Sequence, residues 1–412
     1  MSGERVLAKL KALEEKHFIL ALLFAGWSLG NLDRFVMNYA VISITKDLQL
    51  SAASTGILLS SFFAGYALMQ IPGGWLADRY GSRKVLLTAI IMWSIFTVLT
   101  GMAWSLASIL IIRFLFGIGE GGYMPAGSKL IAQTFPFSER GRAMSIVLSS
   151  GAFLGIFSPI FATTMMSTIG WRMMFWIIGG IGIVLAAMFW YYIKDPKPVV
   201  EDVKEEGNHQ QSTSLLQLLR YPIIWILFIA SFSVNAINWG LLSWMPTYLV
   251  NVRGLELLEL GWIAAIPGLS AIIGTFGAGY ILDKLPKGKE YIYGIISAAC
   301  VSILLYLMFK ANSVTEFMIY QTIIMIFGAF IIIFLPTNVL KTVPSQIVGS
   351  TMGFVSFGGQ LAGFVTPIAI GFIVELSRGS FDTAFWLLIG FAIICTLSFI
   401  SLMIKDRDIH HI

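Results

Sequence analysis

The chain has 412 residues, 57% of them apolar and only 12% charged, with a mean hydropathy of +0.83. That balance excludes a soluble domain, because so little polar surface cannot cover so much apolar volume. The net charge of +5 is explained below by membrane topology, so no nucleic-acid partner is expected.

The chain opens on residues 1–16, where Val6, Leu7, Leu10 and Leu13 recur at helical spacing among Lys and Glu. This pattern predicts a short interfacial helix. Twelve apolar runs follow, at 17–45, 53–78, 84–105, 107–134, 142–168, 171–194, 221–250, 257–283, 290–310, 314–341, 348–376 and 381–404. Each is near the roughly 20 residues a spanning helix needs. None shows the alternation of a membrane β-barrel strand, so an all-α membrane bundle is expected. Of the 27 Lys and Arg, 19 fall in the termini and the even-to-odd loops and five in the opposite loops. By the positive-inside rule both termini are cytoplasmic, in the cell's inner membrane. Cys300 and Cys395 lie in separate spans and suggest neither a disulfide framework nor a metal site. All four histidines sit at or beyond span edges, which argues against a histidine proton relay.

The polar segment 195–220 separates six spans (1–194) from six (221–412) and reads as a cytoplasmic linker. The halves repeat. "GGWLADRYGSRK" at 73–84 answers "AGYILDKLPKGK" at 278–289, with Gly74, Asp78 and Arg79 matching Gly279, Asp283 and Lys284. "GIFSP" at 155–159 likewise answers "GFVTP" at 363–367. An even number of spans per half makes this a parallel repeat, of the kind that binds its solute between the halves. On the residues "GWLADRYGSRK" the chain resembles the major facilitator superfamily, in the signature loop between its second and third spans. Gly74 allows close helix approach. Asp78, Arg79, Arg83 and Lys84, with Glu139, Arg142 and Asp283, form a charge cluster expected to latch the cytoplasmic side in the outward-open state. The alternative is a solvated loop that only sets topology.

Few ionisable groups lie deep inside spans: Asp33 and Arg34 in the first, Arg113 and Glu120 in the fourth, with Lys129 near that span's end. Each costs at least about 2.5 kcal/mol at mid-bilayer, so a functional pathway is the default expectation. Arg113 and Glu120, two turns apart, share one face with Gly117 between them. Arg34 lines up with Trp27, Asn31 and Asn38, a face suited to a wet cavity, whereas Asp33 shares its face with Gly26 and Gly30, suited to close helix packing. If Asp33 and Glu120 take up protons, two arginines lose their internal partners and favour a carboxylate ligand. Permanent ion pairs that merely hold helices together are the alternative.

"LDRF", "YALMQIPGGWLADR" and "RFLFGIGEGGYMPA" resemble the anion:cation symporter family, which includes bacterial aldonate, aldarate and hexuronate carriers. The resemblance implies proton-coupled uptake, with Arg34 and Tyr66 at the substrate and Asp33 and Glu120 as proton carriers. Asn31 and Gln360 depart from residues common among the sugar-acid carriers, which bears on substrate polarity. Neutral readers of substrate hydroxyls are expected at Asn235, Asn238 and Trp239, at Asn338, and at Ser356 and Gln360; each could instead be a packing polar group. The expectation is thus a twelve-helix, monomeric carrier of a small organic anion, with protons as coupling ion and no other cofactor. Sodium coupling, exchange or a non-transporting sensor are the alternatives. No Ser/His/Asp set, HExxH or GxSxG lies within the spans, so an enzyme is not expected.

Overall fold

A computed structural model of the chain describes residues 2–193, 221–285, 289–342 and 348–410, with side chains for all of these except 2–15, 283, 340–342, 349 and 406–410. The linker expected at 195–220 lies outside the described residues. Among them, eleven helices are long and apolar enough to cross a bilayer. One of these, Phe137–Tyr192, runs 56 residues and breaks at Gly170 (φ 80°, ψ 162°), so it makes two crossings and the spans number twelve. Glycine alone adopts that dihedral pair readily, which is why the turn between the fifth and sixth spans needs almost no loop.

The helices are α1 (Ser2–Asp47), α2 (Ala52–Tyr80), α3 (Ser82–Gly101), α4 (Leu106–Thr134), α5 (137–169), α6 (171–192), α7 (Pro222–Asn251), α8 (Leu257–Lys284), α9 (Glu290–Lys310), α10 (Val314–Thr342), α11 (Val348–Leu376) and α12 (Asp382–His410). One element differs from the sequence expectation. Residues 2–16 are not a separate interfacial helix but continue into α1, because nothing between them and the span breaks a helix.

The chain forms two compact units, residues 1–44 with 61–204, and 45–60 with 205–412. Within the first, α2 and α4 cross backbone to backbone: a Cβ on Gly117 would lie 2.8 Å from the Tyr66 nitrogen, and one on Gly65 would strike the Phe114 carbonyl. The contact sets Tyr66 and Phe62 beside the charged face of α4. Tyr123 wedges between α1 and α3, stacked on Trp27 at 6.0 Å, packed on Trp93 at 5.0 Å, and donating to the Leu23 carbonyl at 3.0 Å.

In the second unit, α7 packs along α11, where the Trp244 indole donates to the Pro367 carbonyl at 3.1 Å. α8 packs along α10, and Tyr291 of α9 meets Phe334 of α10 at 5.7 Å. The first turns of α2 belong to this unit because they lie flat on α11. A Cβ on Gly371 would sit 2.6 Å from the Ala52 carbonyl, and Glu375 Oε2 accepts the Ala53 N–H at 2.7 Å. That carboxylate satisfies one of the orphan donors at the α2 N-terminus and complements its partial positive charge.

Gly371→Ala should therefore lower the apparent melting temperature in detergent by several degrees, since forcing a methyl against a backbone oxygen costs about 1–3 kcal/mol. Gly277→Ala, where a Cβ meets nothing within 4 Å, should leave it unchanged. Heating followed by fluorescence-detected size exclusion makes the comparison, and equal curves for the two variants would count against this packing.

Candidate functional site

The four charges expected inside the membrane come together in the first unit as two ion pairs that cross between α1 and α4. Arg34 Nη2 lies 2.6 Å from Glu120 Oε1. Arg113 Nη1 pairs with Asp33 Oδ1, and Thr97 on α3 donates to Asp33 Oδ2 at 2.7 Å. Adjacent residues on α1 point about 100° apart, so Asp33 and Arg34 reach different partners on the facing helix. Gly30 makes room for this, since a Cβ there would press on the Glu120 carboxyl carbon at 3.4 Å.

The two pairs are unequal. Asp33 and Arg113 are each 1% exposed, and the Arg113 guanidinium also lies 4.4 Å from the Phe116 ring centre. This pair is dry and well bonded. In the other pair Glu120 is fully buried, but the Arg34 side chain keeps 13% of its surface open. The Arg34 guanidinium stacks over Phe62 at 4.4 Å and Tyr66 at 5.0 Å. Two atoms of this pair, Arg34 Nε and Glu120 Oε2, are buried without a hydrogen-bond partner among the described residues. Buried charged atoms are rarely left so. An anion at Arg34 would give its Nε a partner, and a proton on Glu120 would remove the charge from its bare oxygen.

Arg113, expected among the substrate-binding groups, has its head group enclosed and bonded to Asp33. Asn31 is buried, and its amide donates to the Trp27 carbonyl one turn earlier at 2.8 Å. The polar face expected around Arg34 is largely interior, with Trp27, Asn31 and Asn38 all below 9% exposed. Tyr66 is buried beside Arg34.

The residues expected in the second half divide in the same way. Asn338 is 2% exposed and donates to the Tyr291 hydroxyl at 2.8 Å, so it ties α10 to α9. Asn235, half-buried, donates to the Ser231 carbonyl at 2.9 Å and packs on Gly359 of α11. Asn238 lines a cavity of about 200 Å³ within this unit, whose other walls are mainly apolar. Trp239 and Gln360 are half-buried and Ser356 is exposed.

The signature-loop charges make their bonds inside the first unit. Asp78 accepts from Lys129 at 3.0 Å, Glu139 pairs with Lys16 at 2.7 Å, and Arg83 donates to the Trp190 carbonyl at 2.8 Å. Arg79 stacks on Trp75 and Tyr80, a Cβ on Gly74 would meet Pro125 at 3.8 Å, and Lys84 and Arg142 are exposed. The Asp283 side chain lies outside the described residues. Two partners went unnoticed in the sequence. Thr97 is one of many hydroxyls in apolar spans, and nothing in a single sequence ties α3 to Asp33. Lys16 lies in the amphipathic leader, about 120 residues from its acid.

The profile of the Major Facilitator Superfamily matches residues 18–340. The probable galactarate/D-glucarate transporter GudP of Escherichia coli (strain K12) is 31% identical over 426 residues, covering 95% of this chain and 94% of its own. GarP of the same organism, described in the same words, is 30% identical over 405 residues, with 89% and 90% covered. Among solved structures, a bacterial homologue of the human lysosomal transporter Spinster, in an inward-facing and occupied conformation, superposes with a TM-score of 0.80 at 20% identity, covering 95% of this chain and 97% of its own. The chain belongs to the Major Facilitator Superfamily. It is a multi-pass membrane transporter and not an enzyme.

If Asp33 and Arg113 act as one enclosed pair, Arg113→Met alone should strip Asp33 of its counter-charge and destabilise the fold by about 3–5 kcal/mol, while Asp33→Leu combined with Arg113→Met should recover much of the loss. Apparent melting temperatures of the two singles and the double decide this; additive losses would mean the pair is not coupled.

Proposed function

We propose that this protein imports a small polyhydroxy carboxylate, an aldarate, aldonate or hexuronate, together with protons, by alternating access of the rocker-switch kind. The observation that carries the reading is the half-satisfied Arg34–Glu120 pair. Of the two arginines deep inside the spans, Arg34 and Arg113, it is Arg34 whose guanidinium keeps open surface, and it rests on the π faces of Phe62 and Tyr66.

Protonating Glu120 removes the charge that holds Arg34. The freed fork then grips a substrate carboxylate in bidentate fashion, which a planar guanidinium does better than an ammonium. Asp33, already bonded to Arg113 and Thr97, is the second proton carrier. Its proton would release Arg113, so the inner pair supplies a reserve of positive charge behind the outer one. Because linkage is reciprocal, a bound carboxylate raises the proton affinity of Glu120 by the same factor that the proton raises carboxylate affinity. An outside-acid gradient therefore loads proton and anion together.

The galactarate/D-glucarate relatives support the substrate class. In the second half Asn238, Trp239, Ser356 and Gln360 keep surface for hydroxyl recognition. The bias of Lys and Arg supports cytoplasmic termini in the inner membrane, and a monomer suffices, since one chain carries every group named.

In proteoliposomes, Glu120→Gln should abolish accumulation driven by a pH gradient while retaining counterflow exchange. Persisting accumulation, or accumulation driven equally by sodium alone, would contradict the proton role. In a thermal-shift panel of aldarates, aldonates and hexuronates, wild type should be stabilised by at least one of them and Arg34→Ala by none. Undiminished stabilisation of Arg34→Ala would remove the carboxylate clamp.

A further inference from the structure

A trough of about 250 Å³ runs between α2, α3 and α4 in the first unit, apart from the charged site. Met69 and Met92 close one end, Tyr80 and Lys84 mark the other, and Gly119 and Gly122 keep the α4 wall low. The volume exceeds the roughly 150 Å³ of an apolar cavity that takes up benzene. Tyr80 to Met69 is eleven helical residues, about 16 Å, and Lys84 to Met92 is eight, about 12 Å. Both lengths approach the roughly 15 Å of one leaflet's hydrocarbon. The lining residues thus span a length comparable to one leaflet's acyl chain, and apart from Tyr80, Lys84 and Thr88 the walls are apolar or glycine.

Its outer end is basic and aromatic. Lys84 is exposed and has no ion pair among the described residues. Arg79 lies over the rings of Trp75 and Tyr80 at 5.1 and 5.5 Å. Asp78, the acid of this loop, is already taken by Lys129 at 3.0 Å. What remains is an uncompensated cationic rim at the depth where Trp and Tyr belong, above an apolar slot.

We infer that this trough is a binding site for an anionic glycerophospholipid, with one acyl chain lying between Met69 and Met92 and the phosphate at Lys84. The occupant comes from the leaflet that the 78–84 loop faces. The site is independent of the transport reading, and its test does not involve uptake.

Native mass spectrometry of the whole, delipidated protein in detergent tests it with three probes: phosphatidylglycerol, phosphatidylcholine with the same chains, and glycerol 3-phosphate. Phosphatidylglycerol should bind one per chain and raise the melting temperature, phosphatidylcholine should bind at least fivefold more weakly, and glycerol 3-phosphate should do neither. Lys84→Glu should weaken phosphatidylglycerol at least tenfold and leave phosphatidylcholine unchanged. Thr88→Phe, which fills the slot from an exposed position on its wall, should displace both lipids while the protein still elutes as a folded species. Equal binding of the two lipids, stabilisation by glycerol 3-phosphate alone, or full binding to Thr88→Phe would overturn the assignment.

Discussion

Everything distinctive about this molecule depends on keeping four charges inside an apolar bundle without leaving any of them uncompensated. An isolated guanidinium or carboxylate in that environment is costly enough to distort or unfold the helix that carries it. The solution is to place the charges on two facing helices so that each acid meets a base of the other: Asp33 with Arg113, Arg34 with Glu120. Net charge is zero when all four are ionised. Any event that alters one member, a proton or an anionic ligand, unbalances a set that was neutral.

The set is graded as well as balanced. Thr97 and the ring of Phe116 complete the surroundings of the inner pair, whereas the outer pair retains an unpartnered oxygen and an unpartnered nitrogen. The same chemistry therefore yields a tight pair and a loose one within a few residues of each other. The bland alternative, two permanent ion pairs, fits the inner one well. It does not account for the open face of Arg34 or the bare oxygen of Glu120.

Much of the architecture was legible because lipid simplifies the code. Apolar run length gave twelve spans, and even the short break at Gly170 appeared as a gap between two runs. The intramembrane charges were found because charged residues are so scarce there. The angular step between Asp33 and Arg34 predicts that the two meet different surroundings, and in the structure they pair with Arg113 and Glu120. Partnership was harder to read. Helical spacing says which residues share a face, but it does not say what that face meets. Asn338, Asn31 and Arg113 read as ligand groups by type and position, and each bonds to a neighbour in the bundle. Polar groups in apolar spans must find partners wherever the helices pack, so residue type alone cannot separate a reader from a tie.

The loop between α2 and α3 shows the same limit from the other side. Its charges suggested a latch, and in the structure Asp78 and Arg83 bond to Lys129 and the Trp190 carbonyl within their own unit. Such bonds brace the ends of α2, α3, α4 and α6 against one another. They also sort the loop by charge. Satisfying its acid internally leaves Arg79 and Lys84 in excess at the rim, where the proposed lipid phosphate would meet them, as the proposed carboxylate would meet Arg34 once Glu120 is protonated. Both proposals rest on one principle, a cation that lacks an internal partner or loses it to a proton. The surroundings, aromatic at Arg34, methionine and glycine below Lys84, would then determine which anion each could hold.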